Sequence, residues 1–175
     1  VMENRIYLRA FELEDYKTTI VWRRDSQILN MLGGTKYYVS EEKEKKWIED
    51  SIFDTKDIRL AVCLTESNLH IGNVYLTHID MQNRNAESHI LIGNKSYWGR
   101  GYAGEALKLL LDYAFNERGL HRIFSLVLDT NIQSLKMHKK LGYQQEGIMR
   151  ESVFKNGEYQ NQIILSILSD YKRSK

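Results

Sequence analysis

Trp98-Gly99-Arg100-Gly101-Tyr102-Ala103-Gly104 lies between an apolar, strand-like run and a long amphipathic helical pattern. Three glycines and an arginine stand where a helix is about to begin. Glycine lacks the Cβ that would hold a ligand off the backbone, so the segment bends tightly and presents its N–H groups. The helix start adds unpaired donors and partial positive charge, which suit a phosphate or pyrophosphate. Gly99, Gly101 and Gly104 also spell a literal G-x-G-x-x-G. His89-Ile90-Leu91-Ile92 precede it, and a later run, Arg122 to Leu128, ends in Asp129, where a ribose-binding acid is expected. A dinucleotide-binding oxidoreductase is therefore a rival reading. Against it, Gly93 to Trp98 intervene between strand and glycines, and little chain remains after Asp129 for further βα units. A P-loop lacks its Gly-Lys-Ser/Thr.

The flanking pattern places the loop in an alternation of strands and helices. Ile6 to Phe11 alternates like a strand, while Glu14 to Val21 and Ser26 to Leu32 have helical spacing. Ser40 is an N-cap for a helix reaching about Ser51, with Glu41 and Glu42 in its favourable first turn. Arg59 to Thr65 and Ile71 to His78 form a hairpin about Glu66-Ser67-Asn68, and Asn85 to Gly93 is the next strand. Ala103, Ala106, Leu107, Leu110 and Ala114 recur on one helical face that Gly119 closes. Arg122 to Leu128 is a strand, Asn131 to Lys140 a helix, and Tyr143 to Phe154 with Glu158 to Leu168 a hairpin across Asn156-Gly157. The irregular alternation implies an α+β, mixed α/β layer fold about one central sheet, in one domain over residues 1–175.

Composition limits the function classes. With 175 residues, 42% of them hydrophobic, the chain can bury one good core, and a formal net charge of +2 is too small to point to nucleic acid. Cys63 is the lone cysteine, in an alternating strand, so it reads as a core residue in a reducing, cytoplasmic setting. No apolar run is long enough to span a membrane. His70, His78 and His121 are scattered without metal-ligand spacing and read as surface or turn residues, so no metal is expected.

Asn131-Ile-Gln-Ser134-Leu-Lys-Met-His138-Lys-Lys-Leu-Gly142-Tyr143 follows the glycine loop after one helix and one strand. The two motifs together resemble the GNAT superfamily of acetyl-coenzyme A (acetyl-CoA)-dependent N-acetyltransferases. The opening Ile6 to Phe11, the tail Glu146 to Glu151 and Asn156 to Tyr159 are similar to the subgroup holding ribosomal-protein N-terminal and spermidine acetyltransferases. The resemblance implies a central, mostly antiparallel twisted sheet flanked by helices. It also implies direct transfer of acetyl from acetyl-CoA to the primary amine of a protein N-terminus, polyamine or amino sugar. No acyl-enzyme is needed, which fits the lack of a Cys-His pair; the small net charge and the lack of an apolar span leave no nucleic-acid or membrane partner expected, and homo-oligomerisation stays open.

By position, the resemblance implies that Leu91 and Ile92 receive the thioester arm. Arg100, Gly101, Tyr102, Ala103 and Gly104 would take the pyrophosphate, and Asn131 and Ser134 would line the opposite wall. Trp98 stands where the family often has Gln or Arg. His138 occupies the place of the Tyr that protonates the leaving thiolate; histidine can do this near neutrality, or can merely cover the coenzyme while water does so. Glu87 and His89 share one strand face, and Glu87 matches an acid common in the subgroup, so Glu87 is the candidate group for holding or deprotonating the ammonium. Trp22, Arg23, Arg24, Asp25, Tyr37, Tyr38 and Glu151 are candidates for the acceptor groove. A non-catalytic CoA-binding sensor with the same fold is the alternative that His138 raises.

Overall fold

A computed structural model describes residues 4–170 of the chain. Seven strands form one sheet: β1 (Ile6–Ala10), β2 (Ile58–Leu64), β3 (His70–Asp80), β4 (Asn85–Ile92), β5 (Arg122–Leu128), β6 (Gln144–Lys155) and β7 (Glu158–Leu168). The helices are α1 (Tyr16–Arg23), α2 (Ser26–Met31), α3 (Glu41–Phe53), α4 (Tyr102–Asp112) and α5 (Ile132–Lys140). The expected elements are present with ends shifted by a few residues, and the mixed α+β layering holds. Among the described residues no helix is long and apolar enough to cross a membrane.

The strand order is β1-β2-β3-β4-β5-β7-β6. All neighbours run antiparallel except β4 and β5, whose parallel pairing covers only Asn85–Glu87 against Arg122–Phe124. A doubly wound dinucleotide fold needs successive parallel strands joined by crossover helices. The arrangement here lacks them, and this overturns the oxidoreductase reading of the glycine fingerprint. The final hairpin is also placed unexpectedly: β7, not β6, pairs with β5, so the last strand lies inside the sheet and β6 forms its edge. Asn156 and Gly157 both take the left-handed backbone that a two-residue hairpin turn requires (φ 53° and 81°).

Alternation along β2 sorts its side chains onto two layers. Val62 faces the core that α4 covers with Ala106, Leu107 and Leu110, while Ala61 and Cys63 face Phe11 and Ile48 under α3. Each fully buried leucine of α4 contributes roughly 1.5–3 kcal/mol through its removal from water. Cys63 is thus a core side chain, as its alternation suggested. His70, expected at the surface, is instead buried beside Asp15, whose carboxylate pairs bidentately with Arg9 (2.8 and 2.9 Å). Burial opposes ionisation of Asp15, but Arg9 and His70 together hold its carboxyl well below the usual range.

One glycine positions the rim of the sheet. The Gly93 N–H donates to the Ile71 carbonyl (2.9 Å), and a Cβ at Gly93 would lie 1.9 Å from the buried Trp22 indole. Gly93→Ala should therefore cost about 1–3 kcal/mol by overpacking. Gly34→Ala, where a Cβ meets nothing within 4 Å, should stay within about 0.5 kcal/mol of wild type. Urea unfolding of both variants checks the contrast.

Candidate active site

Beyond Glu87 and Phe124 the strands β4 and β5 separate, and a cleft of about 380 Å³ opens between them. Its walls come from β4, from Ser125 to Leu128 of β5, from Asn131, Ser134 and His138 at the α5 side, and from α1, α2 and α3. At the fork a buried polar network fills the gap that sheet pairing leaves. The Ser88 and Ser125 hydroxyls lie 2.6 Å apart, the Tyr143 hydroxyl is 2.9 Å from Ser88 Oγ, and His138 Nε2 is 3.2 Å from Ser125 Oγ. His138 Nδ1 lies 2.8 Å from the Ser134 carbonyl, which can only accept, so Nδ1 carries the ring proton. Every group is then satisfied when Tyr143 donates to Ser88, Ser88 to Ser125, and Ser125 to His138 Nε2.

This arrangement bears on His138. Burial lowers its pKa, against the opposing pull of the Ser134 carbonyl, and holds the ring neutral. Both ring nitrogens are engaged within the protein, and in this tautomer Nε2 has no proton to give. Burial and its hydrogen bond to Ser88 raise and temper the Tyr143 hydroxyl respectively, leaving it at about 12 and a permanent donor.

Glu87 reaches the cleft from the paired end of β4. Its Oε2 is 3.1 Å from His78 Nδ1 and its Oε1 3.6 Å from His89 Nε2. Thr77, opposite Glu87 in the β3–β4 register, links the two rings: its Oγ1 is 2.8 Å from His89 Nε2 and 3.2 Å from His78 Nδ1. Desolvation lowers the His89 pKa despite the opposing pull of Glu87. Glu87 and His89 do share a strand face, and both line the cleft.

The opposite wall is aromatic. Trp22, Trp47 and Tyr75 line it with Arg23 and Glu44, the buried Glu44 carboxylate being held by Arg23 (3.2 Å) while the Arg23 guanidinium lies over the Trp47 ring (4.7 Å). Trp22 and Arg23 were expected here; Glu44, Trp47, Tyr75 and Ser125 were not. Arg24, Asp25, Tyr37, Tyr38 and Glu151 lie outside the lining. Arg24 donates to the Val39 carbonyl, and Asp25 caps α2 and pairs with Lys95 (2.6 Å). The unexpected members come from α3, β3 and β5, distant in sequence, so no local spacing joins them to Glu87.

The glycine loop leads from the end of β4 into α4. Gly99 and Gly101 have φ of 72° and 84°, with Gly101 as the N-cap, and no side chain caps the helix. Asp25, Ser40 and Asn131 do cap α2, α3 and α5, whereas α1 grows out of a preceding turn. The first-turn N–H groups of Tyr102, Ala103 and Gly104 therefore point outward without an intrahelical partner. A Cβ at Gly99 would meet nothing within 4 Å, so the loop is an open cradle for an anion. Arg5 braces it, donating to the Arg100 carbonyl (3.2 Å) and to Glu105 (2.9 Å). Trp98 gains a role: its indole N–H donates to the Ile92 carbonyl (2.6 Å), stapling the loop to the end of β4. Leu91 lines the cleft, and Ile92 is buried beside it with one lone pair of its carbonyl used by Trp98. The amide of Asn131 is committed internally, accepting from Ser134 N–H (3.1 Å) and donating to the Met31 carbonyl (3.3 Å), so Asn131 shapes the wall as a cap. Ser134 lines the same wall one turn before His138.

Comparison with known proteins shows the family of the chain. The acetyltransferase (GNAT) domain family matches residues 5–144. The chain is 35% identical over 169 residues to a spermidine N(1)-acetyltransferase of Escherichia coli (strain K12), covering 93% of this chain and 85% of the relative. It is 30% identical over 149 residues to an uncharacterized N-acetyltransferase of Bacillus licheniformis, covering 84% and 83%. Among solved structures, spermidine N-acetyltransferase from Vibrio cholerae in complex with CoA and spermine superimposes with a TM-score of 0.88 at 27% identity, covering 95% and 96%.

The neutral, buried state of His138 has a measurable consequence. Its folded pKa lies below the unfolded value, so the stability tied to the neutral ring is present above about pH 6.5 and is lost as pH falls below it. Relative to His138→Gln, the wild type should lose up to about 1.4 kcal/mol per pH unit between pH 6.5 and 5 in denaturant titrations. A difference independent of pH would mean that the ring takes up its proton as readily in the fold as in the unfolded chain.

Proposed function

As a member of the acetyltransferase (GNAT) domain family, this chain is an acetyl-CoA-dependent N-acetyltransferase, and we propose that its acceptor is a polyamine whose terminal ammonium is received by Glu87. The observation that carries this reading is the position of Glu87, the cleft carboxylate without a Lys or Arg partner among the described residues, at the narrow end of the β4–β5 fork. Facing it, the rings of Trp22 and Tyr75 offer apolar surface and π-faces to the methylene chain and further ammonium groups of a polyamine, while Arg23 covers Trp47. Spermidine acetyltransferases among the relatives support the same acceptor class.

The proposed chemistry follows from the wall groups. Glu87 holds the ammonium and takes its proton, so that the free amine attacks the thioester carbonyl. The tetrahedral oxyanion is met by N–H donors of the open β4 edge, and collapse expels the thiolate. With both His138 nitrogens engaged, His138 serves by fixing Ser125 and the fork, and the second proton of the attacking nitrogen passes through water to the thiolate, leaving one proton per turnover on Glu87. The uncapped first turn of α4, Tyr102 to Gly104, with the loop at Arg100 and Gly101, receives the coenzyme pyrophosphate. Leu91 and Ile92 border its acyl arm, and Asn131 and Ser134 form the far wall.

Incubation with acetyl-CoA and a panel of spermidine, spermine, an amino sugar and a peptide with a free N-terminus tests the acceptor. Thiol release and monoacetylated spermidine by mass spectrometry are expected; acetylation of the peptide or sugar alone would overturn the polyamine reading. Glu87→Gln should lower kcat/KM about 10²–10⁴-fold with the coenzyme Kd unchanged. Gly101→Ala places a Cβ on a left-handed N-cap, so it should raise the acetyl-CoA Kd measured by calorimetry. An unchanged Kd would remove the pyrophosphate from this loop.

A further inference from the structure

Each turnover on an ammonium acceptor deposits one proton in the cleft, and the group proposed to take it is poorly connected to water. The Glu87 side chain is 11% exposed, whereas that of His78, in contact with it, is 76% exposed. Glu87 lines the cleft and His78 does not. One carboxylate therefore stands between the reaction space on one side and a solvent-facing imidazole on the other.

The backbone is bent to make this contact. Neighbouring strand residues point to opposite faces, so Thr77 and His78 should diverge. Instead the β3 register shifts between Thr77 and Asp80, and His78 takes a left-handed φ of 51°. The turned peptide is fixed from β2's side, where the His78 N–H donates to Asp57 Oδ1 (3.1 Å) and Asp57 also holds Arg59 (2.9 Å). A non-glycine residue in this region is strained, and such strain gathers where a side chain must be aimed. Its result is His78 Nδ1 at 3.1 Å from Glu87 Oε2 and 3.2 Å from Thr77 Oγ1. The groups facing the ring are Glu87 and, through Thr77, His89 from β4, with Asp57 and Arg59 behind.

Resting on the assignment of Glu87 as proton acceptor, we propose that His78 is the outlet by which that proton reaches solvent. The carboxyl O–H of Glu87 breaks as an N–H bond forms at His78 Nδ1; the imidazolium then gives its Nε2 proton to water, and Glu87 returns as carboxylate. Nδ1–H then donates to the restored carboxylate, and when Glu87 next takes a proton, exchange of the exposed ring with water frees Nδ1 to accept again. His78 acts through Glu87 and does not touch the acceptor.

The test is steady-state kinetics of His78→Asn and His78→Gly, with acetyl-CoA and spermidine, or with whichever amine of the panel is turned over. Asparagine and glycine both tolerate the left-handed backbone, so the fold is kept. kcat should fall about 10²-fold in weakly buffered solution, with the amine KM little changed. Added imidazole should restore it saturably, and more at pH values where neutral imidazole predominates. Wild-type kcat in His78→Asn, or a loss that imidazole leaves untouched, would overturn the outlet and make His78 a structural contact. Failure of spermidine alone moves the assay to another amine and concerns only the acceptor.

Discussion

The proposed site depends on β4 and β5 pairing for three residues and then parting. Two strands that separate expose backbone donors and acceptors which must be met by something other than each other. On the closed side of the fork the Ser88, Ser125, Tyr143 and His138 network meets that demand with side chains, each satisfied. On the open side the β4 edge is left for a ligand. A longer ladder would close the cleft; a looser network would leave buried hydroxyls unpaired at a cost of about 1–3 kcal/mol apiece.

The same fork sorts the electrostatics. Positive potential gathers at the open end, where the uncapped first turn of α4 meets Arg100 and Arg5, and a carboxylate sits at the narrow end. On the proposed reading, a dianionic pyrophosphate and a cationic amine are drawn to opposite ends of one channel, with the thioester between them. Trp98, by holding the loop to Ile92, keeps the two ends in register.

Much of this was legible in the residues. The left-handed Gly99 and Gly101, the Asn156–Gly157 turn, the α4 face and the alternation that buries Cys63 each follow from local chemistry, and they are where the spacing put them. Glu87 and His89 on one face followed from a period of two. What escaped is non-local. Nothing in Tyr143 to Leu168 says that β7 lies inside the sheet, because either strand of a hairpin can take the edge. His70 looked like a surface residue because solitary polar side chains are usually solvated, and it is buried; His78 is at the surface as expected, and only its contact with Glu87 escaped. Asp15, 55 positions upstream, buries the first, and a bulge turns the second toward Glu87. His138 stood in a donor's place, but its tautomer depends on Ser125 across the fork.

The most direct measurement is a crystal structure of the protein with CoA and spermidine together. Pyrophosphate oxygens within about 2.7–3.2 Å of the Tyr102 to Gly104 N–H groups, and a terminal nitrogen of spermidine at the same distance from the Glu87 carboxylate beside the thiol, are the expected result. A coenzyme whose pyrophosphate lies away from the first turn of α4, or an amine seated apart from Glu87, would contradict it.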